Sequence, residues 1–310
     1  AEVIKQYGAD ILRLWVAQLD YMSDQRIGPE ILKVVADSYR RLRNTFRYML
    51  GNLDGTQEEV AVADMPELEQ WVLHRLSELD EAVMEKYRTF DFQGMFQTVF
   101  QFATVDLSAY YFDIRKDALY CDGSTQRLKA ALWTLELILE RLNTWLAPVL
   151  PFTMEEVWLE RGKQGSVHLQ DFPETPKDWR NDALAAKWAT IRKVRRVVTG
   201  ALEVERTAKV IGASLEAAPE VYVDAETAAI LETVEFEDVC ITSAITISSD
   251  AAPDGAFTMD DVPGVAVVFK HAVGEKCQRS WKILPDVGQY NHPGVCKRCS
   301  DALDELLAGK

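Results

Sequence analysis

The residues best suited to chemistry stand close to the end of the chain. Cys277-Gln278-Arg279-Ser280 is followed, after fifteen residues, by Cys296-Lys297-Arg298-Cys299. This is the zinc-ribbon spacing of two Cys-x-x-Cys pairs, with Ser280 in the second place. A pair two apart suits a metal because one tight turn aims both sulfurs at the same ion. Three thiolates are one short of a closed tetrahedral site, and a serine hydroxyl is a poor zinc ligand. His292, four residues ahead of Cys296, could complete a Cys3His set. The other reading is a decayed ribbon that folds without metal around Trp281, Ile283 and Tyr290. Cys121 and Cys240 lie in apolar stretches and read as structural. Five cysteines, an odd number with three crowded together, make a poor disulfide framework and point to a reducing, cytoplasmic setting.

A second group of side chains suits anions. In residues 38–53, at about 100° per residue, Leu42, Phe46, Met49 and Leu53 fall in one narrow arc. Arg40, Asn44 and Arg47 gather on the opposite side, with Arg43 flanking. Such a rod can present guanidinium and amide groups to phosphates and base edges. The plainer alternative is a solvated face paired with acidic neighbours. Residues 106–120 combine aromatics with Arg115 and Lys116. Tyrosine and arginine planes can stack unpaired bases, although a buried tyrosine with a satisfied hydroxyl is the commoner outcome.

Catalytic signals are poor. The four histidines, His74, His168, His271 and His292, are scattered, and no P-loop or G-x-G-x-x-G run occurs. An independent active site is not expected.

A net charge of −15 argues at face value against a polyanionic partner. The average conceals three basic islands. Residues 38–53 carry +4, residues 187–209 carry +5 and residues 269–300 carry +4, so the islands total +13 and the rest of the chain −28. No apolar run approaches the roughly 18 residues of a membrane span. The chain has no signal peptide, lacks a starting Met and opens as if in mid-helix, so a piece of something longer is expected.

The elements that must position these groups are mostly helical. Apolar residues recur at helical spacing over 29–53, behind Pro29, and over about 66–87, 92–112 and 126–146. Pro148 and Pro151 follow the last of these. Four long amphipathic helices with short connections predict an antiparallel bundle. A short helix over 153–160 is expected to be capped by Thr153 and Glu156 as a capping box. Residues 163–180 read as a connector and 183–206 as a further helix. Strands are expected at 220–223, 239–242, 244–247 and 264–269, which makes the later part a small α/β domain.

Several runs in series now resemble one family. They are YGADILRLWVA at 7–17, Arg43-Asn44 to Arg47 with LGNL at 50–53, and DLSAY at 106–110 with RKD at 115–117 and LY at 119–120. LAPVLPFT at 146–153, EEVW at 155–158, SVHL at 166–169 and the terminal cysteine segment continue the match. Together they resemble the isoleucyl-tRNA synthetases of bacteria, class I aminoacyl-tRNA synthetases, over essentially all 310 residues. The terminal cysteine segment and the Arg-Lys-Asp run favour this branch over the valine and leucine enzymes. A helical interaction protein with no RNA role is the remaining alternative.

The resemblance implies a chain starting just past the KMSKS loop, with the ATP- and Mg-using nucleotide fold and the editing domain ahead of it. It therefore implies no catalytic residue here. It implies a stem-contact segment at 1–28, an anticodon-binding bundle at 29–162, a small α/β junction domain at 163–268 and a zinc-finger-like module at 269–310. The expected partner is isoleucine tRNA, bound by a cytoplasmic monomer. Arg40, Arg43, Asn44, Arg47, Arg115, Lys116, Arg192, Arg195, Arg196, Trp281, Lys297 and Arg298 are expected to touch RNA, the three basic islands forming one groove. Cys277, Cys296, Cys299 and His292 are expected to hold zinc, and Ser280 departs from the four cysteines common in the family.

Overall fold

Residues 2–308 are described here by a computed structural model, and their contacts separate them into two units. The first takes in residues up to Arg115 together with Gln126–Asn181, the second Lys116–Thr125 together with residues from Asp182 onward.

The first unit is the helical bundle expected from periodicity. Two short helices, α1 (Glu2–Tyr7) and α2 (Ala9–Ala17), precede α3 (Pro29–Asn52). Pro29 sits in the first turn of α3, where a missing N–H costs no helical bond. Leu32, Val35, Leu42, Phe46 and Met49 form its buried face. Burying a side chain such as Phe46 or Met49 contributes about 1.5–3 kcal/mol. Then come α4 (Glu67–Arg88) and α5 (Phe92–Gln101). The helix does not stop near 112, as periodicity predicts. It continues through ten residues of wider π-helical turns, Phe102–Tyr111, into α6 (Phe112–Cys121). The aromatic run hides this because Phe102, Tyr110, Tyr111 and Phe112 are all buried and blur any single apolar face.

Next, α7 (Gln126–Leu146) has the predicted bounds, but it is not one-faced. From Thr134 to Leu146 every residue except Glu140 is buried, so α7 is the bundle's central helix. That burial takes in Arg141, whose guanidinium lies 4.3 Å from the Trp179 ring centre.

The predicted capping box is overturned. Helix α8 runs Pro151–Glu160, which places Thr153 inside its first turn. The cap comes instead from α2, where Asp10 accepts from the Thr153 N–H at 2.7 Å and its hydroxyl at 2.6 Å. A carboxylate at a helix N-terminus satisfies free N–H groups and complements the dipole. Glu156, freed from the box, pairs with Arg43.

In the second unit, α9 (Asp182–Thr207) packs on a four-stranded sheet with its buried face at Trp188, Ile191, Val194, Val198 and Leu202. The remaining elements are β1 (Glu220–Tyr222), α10 (Ala225–Leu231), α11 (Phe236–Cys240), β2 (Thr246–Ser248), β3 (Phe257–Met259) and β4 (Val262–Val268). Strand order is β2-β1-β4-β3. Strand β1 runs parallel to β2, with Val221 opposite Ile247, and antiparallel to β4, with Val221 opposite Val267. The strand expected at 239–242 is a helix end instead. Parallel neighbours need a crossover, and α10 and α11 supply it, so the β-branched Val239 is drawn into a helix. The chain ends in a two-stranded ribbon, β5 (Glu275–Lys276) and β6 (Ile283–Leu284), followed by α12 (Lys297–Ala308).

Candidate nucleic-acid interface and metal centre

The cysteine module is built around a tight turn. Strand β5 leads into Cys277, the Trp281 N–H returns to the Cys277 carbonyl at 2.9 Å, and the Cys277 N–H donates to the Lys282 carbonyl at 2.8 Å. Gly274, with φ +128°, makes the approach possible: a Cβ there would lie 2.3 Å from the Leu284 carbonyl. Cys277, Cys296 and Cys299 come together, their sulfurs within 4.8 Å of one another and all three residues buried. The backbone N–H groups of Ser280 and Cys296 both point at the Cys277 sulfur, at 3.4 Å each. Burial pushes the Cys277 thiol up, but hydrogen bonds from the Ser280 side chain and from the N–H groups of Ser280, Cys296 and Arg279 outweigh it and hold it below its ordinary value. Donors directed at sulfur suit a thiolate, so the cluster could hold a metal ion.

His292 is not part of this cluster. Its Nε2 lies 2.9 Å from the Asp304 carboxylate, and the sulfur trio does not include it. Cys121, which reads as merely structural in sequence, is the opposite case. It packs with Cys277, Val295, Cys296 and Cys299 in one buried cluster, its thiol donating to the Arg279 carbonyl at 3.5 Å. No local spacing could reveal this, because the partners come from distant parts of the chain. Cys240 is buried as expected, and burial pushes its thiol far up.

The cationic residues divide by partner. On α3, Asn44 and Arg47 are exposed, and among the described residues the Arg47 guanidinium has no carboxylate partner. Arg40 pairs with Asp37 at 3.0 Å, and Arg43 makes a two-pronged pair with Glu156 at 2.7 Å for each bond. Arg41, omitted from the expected set, is exposed on the same helix.

Arg115 is a clear correction. It is 6% exposed, and its guanidinium grips Glu69 at 2.6 and 2.7 Å beside the Tyr111 hydroxyl, which reaches Glu69 at 3.0 Å. A buried carboxylate needs a counter-charge, and this arginine is spent on it. Its neighbour Lys116 is exposed.

On α9, Arg192 and Arg195 are half-buried, and Arg195 donates to the Val239 carbonyl at 2.7 Å, near the end of α11. Arg196 is exposed and pairs with Asp261 at 2.6 Å. In the cysteine module Trp281 is 61% exposed, with the Lys276 ammonium 5.2 Å from its ring centre. Lys297 pairs with Asp301 at 2.7 Å and lies 5.9 Å from the exposed Tyr290 ring. Arg298 is half-buried, bonded to Asp117 at 2.8 Å and within 3.4 Å of Asp122. Among the described residues no helix is long and apolar enough to cross a membrane.

Residues 69–222 match the family described as the anticodon-binding domain of tRNA ligase. An isoleucine–tRNA ligase of Ruegeria pomeroyi is 63% identical over 97% of this chain and 32% of its own length. The isoleucine–tRNA ligase of Brucella abortus is 56% identical over 99% of this chain and 32% of its own. That of Agrobacterium fabrum is 53% identical over 100% of this chain and 32% of its own. The chain thus spans about a third of the length of the curated relatives it matches.

Proposed function

We propose, for a chain that is a relative of the isoleucine–tRNA ligases and carries an anticodon-binding domain of the tRNA-ligase type, that it grips the anticodon stem-loop of isoleucine tRNA for an enzyme that joins isoleucine to that tRNA with ATP. In this reading ATP and Mg act elsewhere in the enzyme, and the chain alone binds tRNA without charging it. The observation that carries it is the anticodon-binding match over residues 69–222; α3, which precedes the matched span in the same bundle, displays Arg40, Arg43, Asn44 and Arg47 outward.

In the bundle, Arg47 and Asn44 contact RNA directly; in the second unit, Lys116 is a further RNA-binding candidate. Arg40, Arg43, Arg196 and Lys297 first exchange an exposed carboxylate for a phosphate. That exchange is cheap, since exposed ion pairs contribute only about 0–1 kcal/mol. In the second unit, Trp281 offers a face for an unpaired base, and Arg192 and Arg195 add positive potential. Residues 1–28 contact the stem, 29–162 the anticodon, and 163–268 support the module at 269–310. The protein acts as a cytoplasmic monomer.

The trio Cys277, Cys296 and Cys299 holds zinc. When bound, zinc supplies a structural crosslink and no reaction chemistry. Soft thiolates and a buried, hydrogen-bonded donor set favour it over hard cations.

Filter binding to isoleucine, valine and unrelated tRNAs tests the assignment. Preference for isoleucine tRNA is expected. Preference for valine tRNA would move the chain to a sister enzyme, and no tRNA binding would leave a helical interaction protein.

A further inference from the structure

The thiol trio supplies three of the four donors that a closed structural zinc site takes, which leaves the fourth to be found. Three groups stand near. The His292 imidazole is engaged with Asp304 at 2.9 Å and is not part of the cluster. The Ser280 hydroxyl is buried and 4.0 Å from the Cys296 sulfur, but it is a neutral oxygen beside soft sulfur donors. Cys121 is a thiol, 5% exposed, packed in the same buried cluster as the trio.

We propose that Cys121, at the end of α6, is the fourth ligand of a four-thiolate zinc site, taking the place that Ser280 leaves vacant. The inference rests on the reading that the trio holds zinc. The sulfurs of the trio lie within 4.8 Å of one another, and the Cys121 sulfur stands outside that set. A single χ1 step moves a cysteine sulfur by about 3 Å, so the Cys121 thiol can turn toward the trio without a backbone shift.

The surroundings fit a liganding role better than a packing one. The Arg279 guanidinium donates to the Cys121 carbonyl, and the Cys121 thiol donates back to the Arg279 carbonyl at 3.5 Å. This reciprocal clasp holds the end of α6 against the turn that carries Cys277. Arg298, next to Cys299, reaches Asp117 and Asp122 on either side of Cys121. Glu305 of α12 accepts from the Ser124 N–H at 3.0 and 3.1 Å. The segment 116–125 is therefore tied to the cysteine module at both flanks of Cys121. Four thiolates around a divalent ion leave two negative charges, and Arg279 and Arg298 are the cations at hand to offset them.

Cobalt(II) titration of the whole 310-residue chain tests this, because thiolate-to-cobalt charge-transfer intensity counts the sulfur ligands. The wild type is expected to show a four-thiolate spectrum, displaced by stoichiometric zinc. Cys121→Ser should reduce it to three thiolates and weaken zinc binding by roughly tenfold or more, while His292→Ala and Ser280→Ala leave it unchanged. A three-thiolate wild-type spectrum, or an unchanged spectrum in Cys121→Ser, overturns the assignment of Cys121 and leaves the zinc reading standing. No cobalt or zinc bound by the wild type overturns the zinc reading itself. Should Cys121→Ser fail to fold by circular dichroism, the wild-type count of four or three decides alone.

Discussion

Glu69 of α4 and Arg115 of α6 meet as a two-pronged ion pair, 2.6 and 2.7 Å long, with Glu69 fully buried and Arg115 nearly so. Removing one partner strands the other charge away from water. Glu69→Ala is therefore expected to cost about 3–5 kcal/mol, read by urea unfolding of the helical signal. Replacing both by a well-packed apolar pair should cost far less. A Glu69→Ala loss below about 1 kcal/mol would show that water reaches the site.

Asp10 and Thr153 carry a second long-range contact. Asp10→Ala leaves the first turn of α8 without its acceptor, and a loss of about 1–2 kcal/mol is expected, as for other N-caps. Thr153→Val keeps the N–H bond and should lose less. Thermal denaturation of the two variants checks the order.

The Arg43–Glu156 pair predicts both a pH dependence and an effect on RNA. Hydrogen bonds from Arg43 hold the Glu156 carboxyl below its ordinary value of 4.5. A depressed folded value means that the pair's stability is complete above about pH 4.5 and is lost as pH falls through the lowered value. Both side chains are about half exposed, so screening keeps the contribution under about 1 kcal/mol. The stability difference between wild type and Glu156→Gln should shrink below that pH. At neutral pH, Glu156→Gln should tighten tRNA binding by up to about 1 kcal/mol, because Arg43 no longer has to leave a carboxylate.

The bundle is legible in sequence because its evidence is local. Leu42, Phe46 and Met49 repeat at helical spacing, and Pro29 and Pro148 mark ends that the backbone obeys. What is not legible depends on distant partners. Nothing near Thr153 tells that Asp10 will cap its helix, and nothing near Arg115 tells that Glu69 waits for it. The same holds for Val239, which reads as strand until the parallel pairing of β1 with β2 demands a helical crossover. Of the candidate site, Cys277, Cys296 and Cys299 are visible from spacing alone, whereas Cys121 appears only once α6 is placed.

Metal removal should act locally. Treatment with a strong chelator is expected to raise amide hydrogen exchange over β5, β6 and α12, since the small ribbon has little core beyond its cysteines. Exchange in α3 and α7 should stay as slow as before. Equal loosening of α7 would contradict a purely structural, local metal.

Contact between these side chains and the anticodon stem-loop of isoleucine tRNA is tested most directly by the affinity of that stem-loop for wild type, Arg47→Ala and Trp281→Ala, across a salt series. Arg47→Ala should lose about 1–3 kcal/mol if the guanidinium reads a base, or lower the salt slope by about one if it meets a phosphate. Trp281→Ala should lose about 1–3 kcal/mol with the salt slope unchanged, as expected for lost stacking. Wild-type affinity and slope in both variants would show that neither Arg47 nor Trp281 touches the stem-loop.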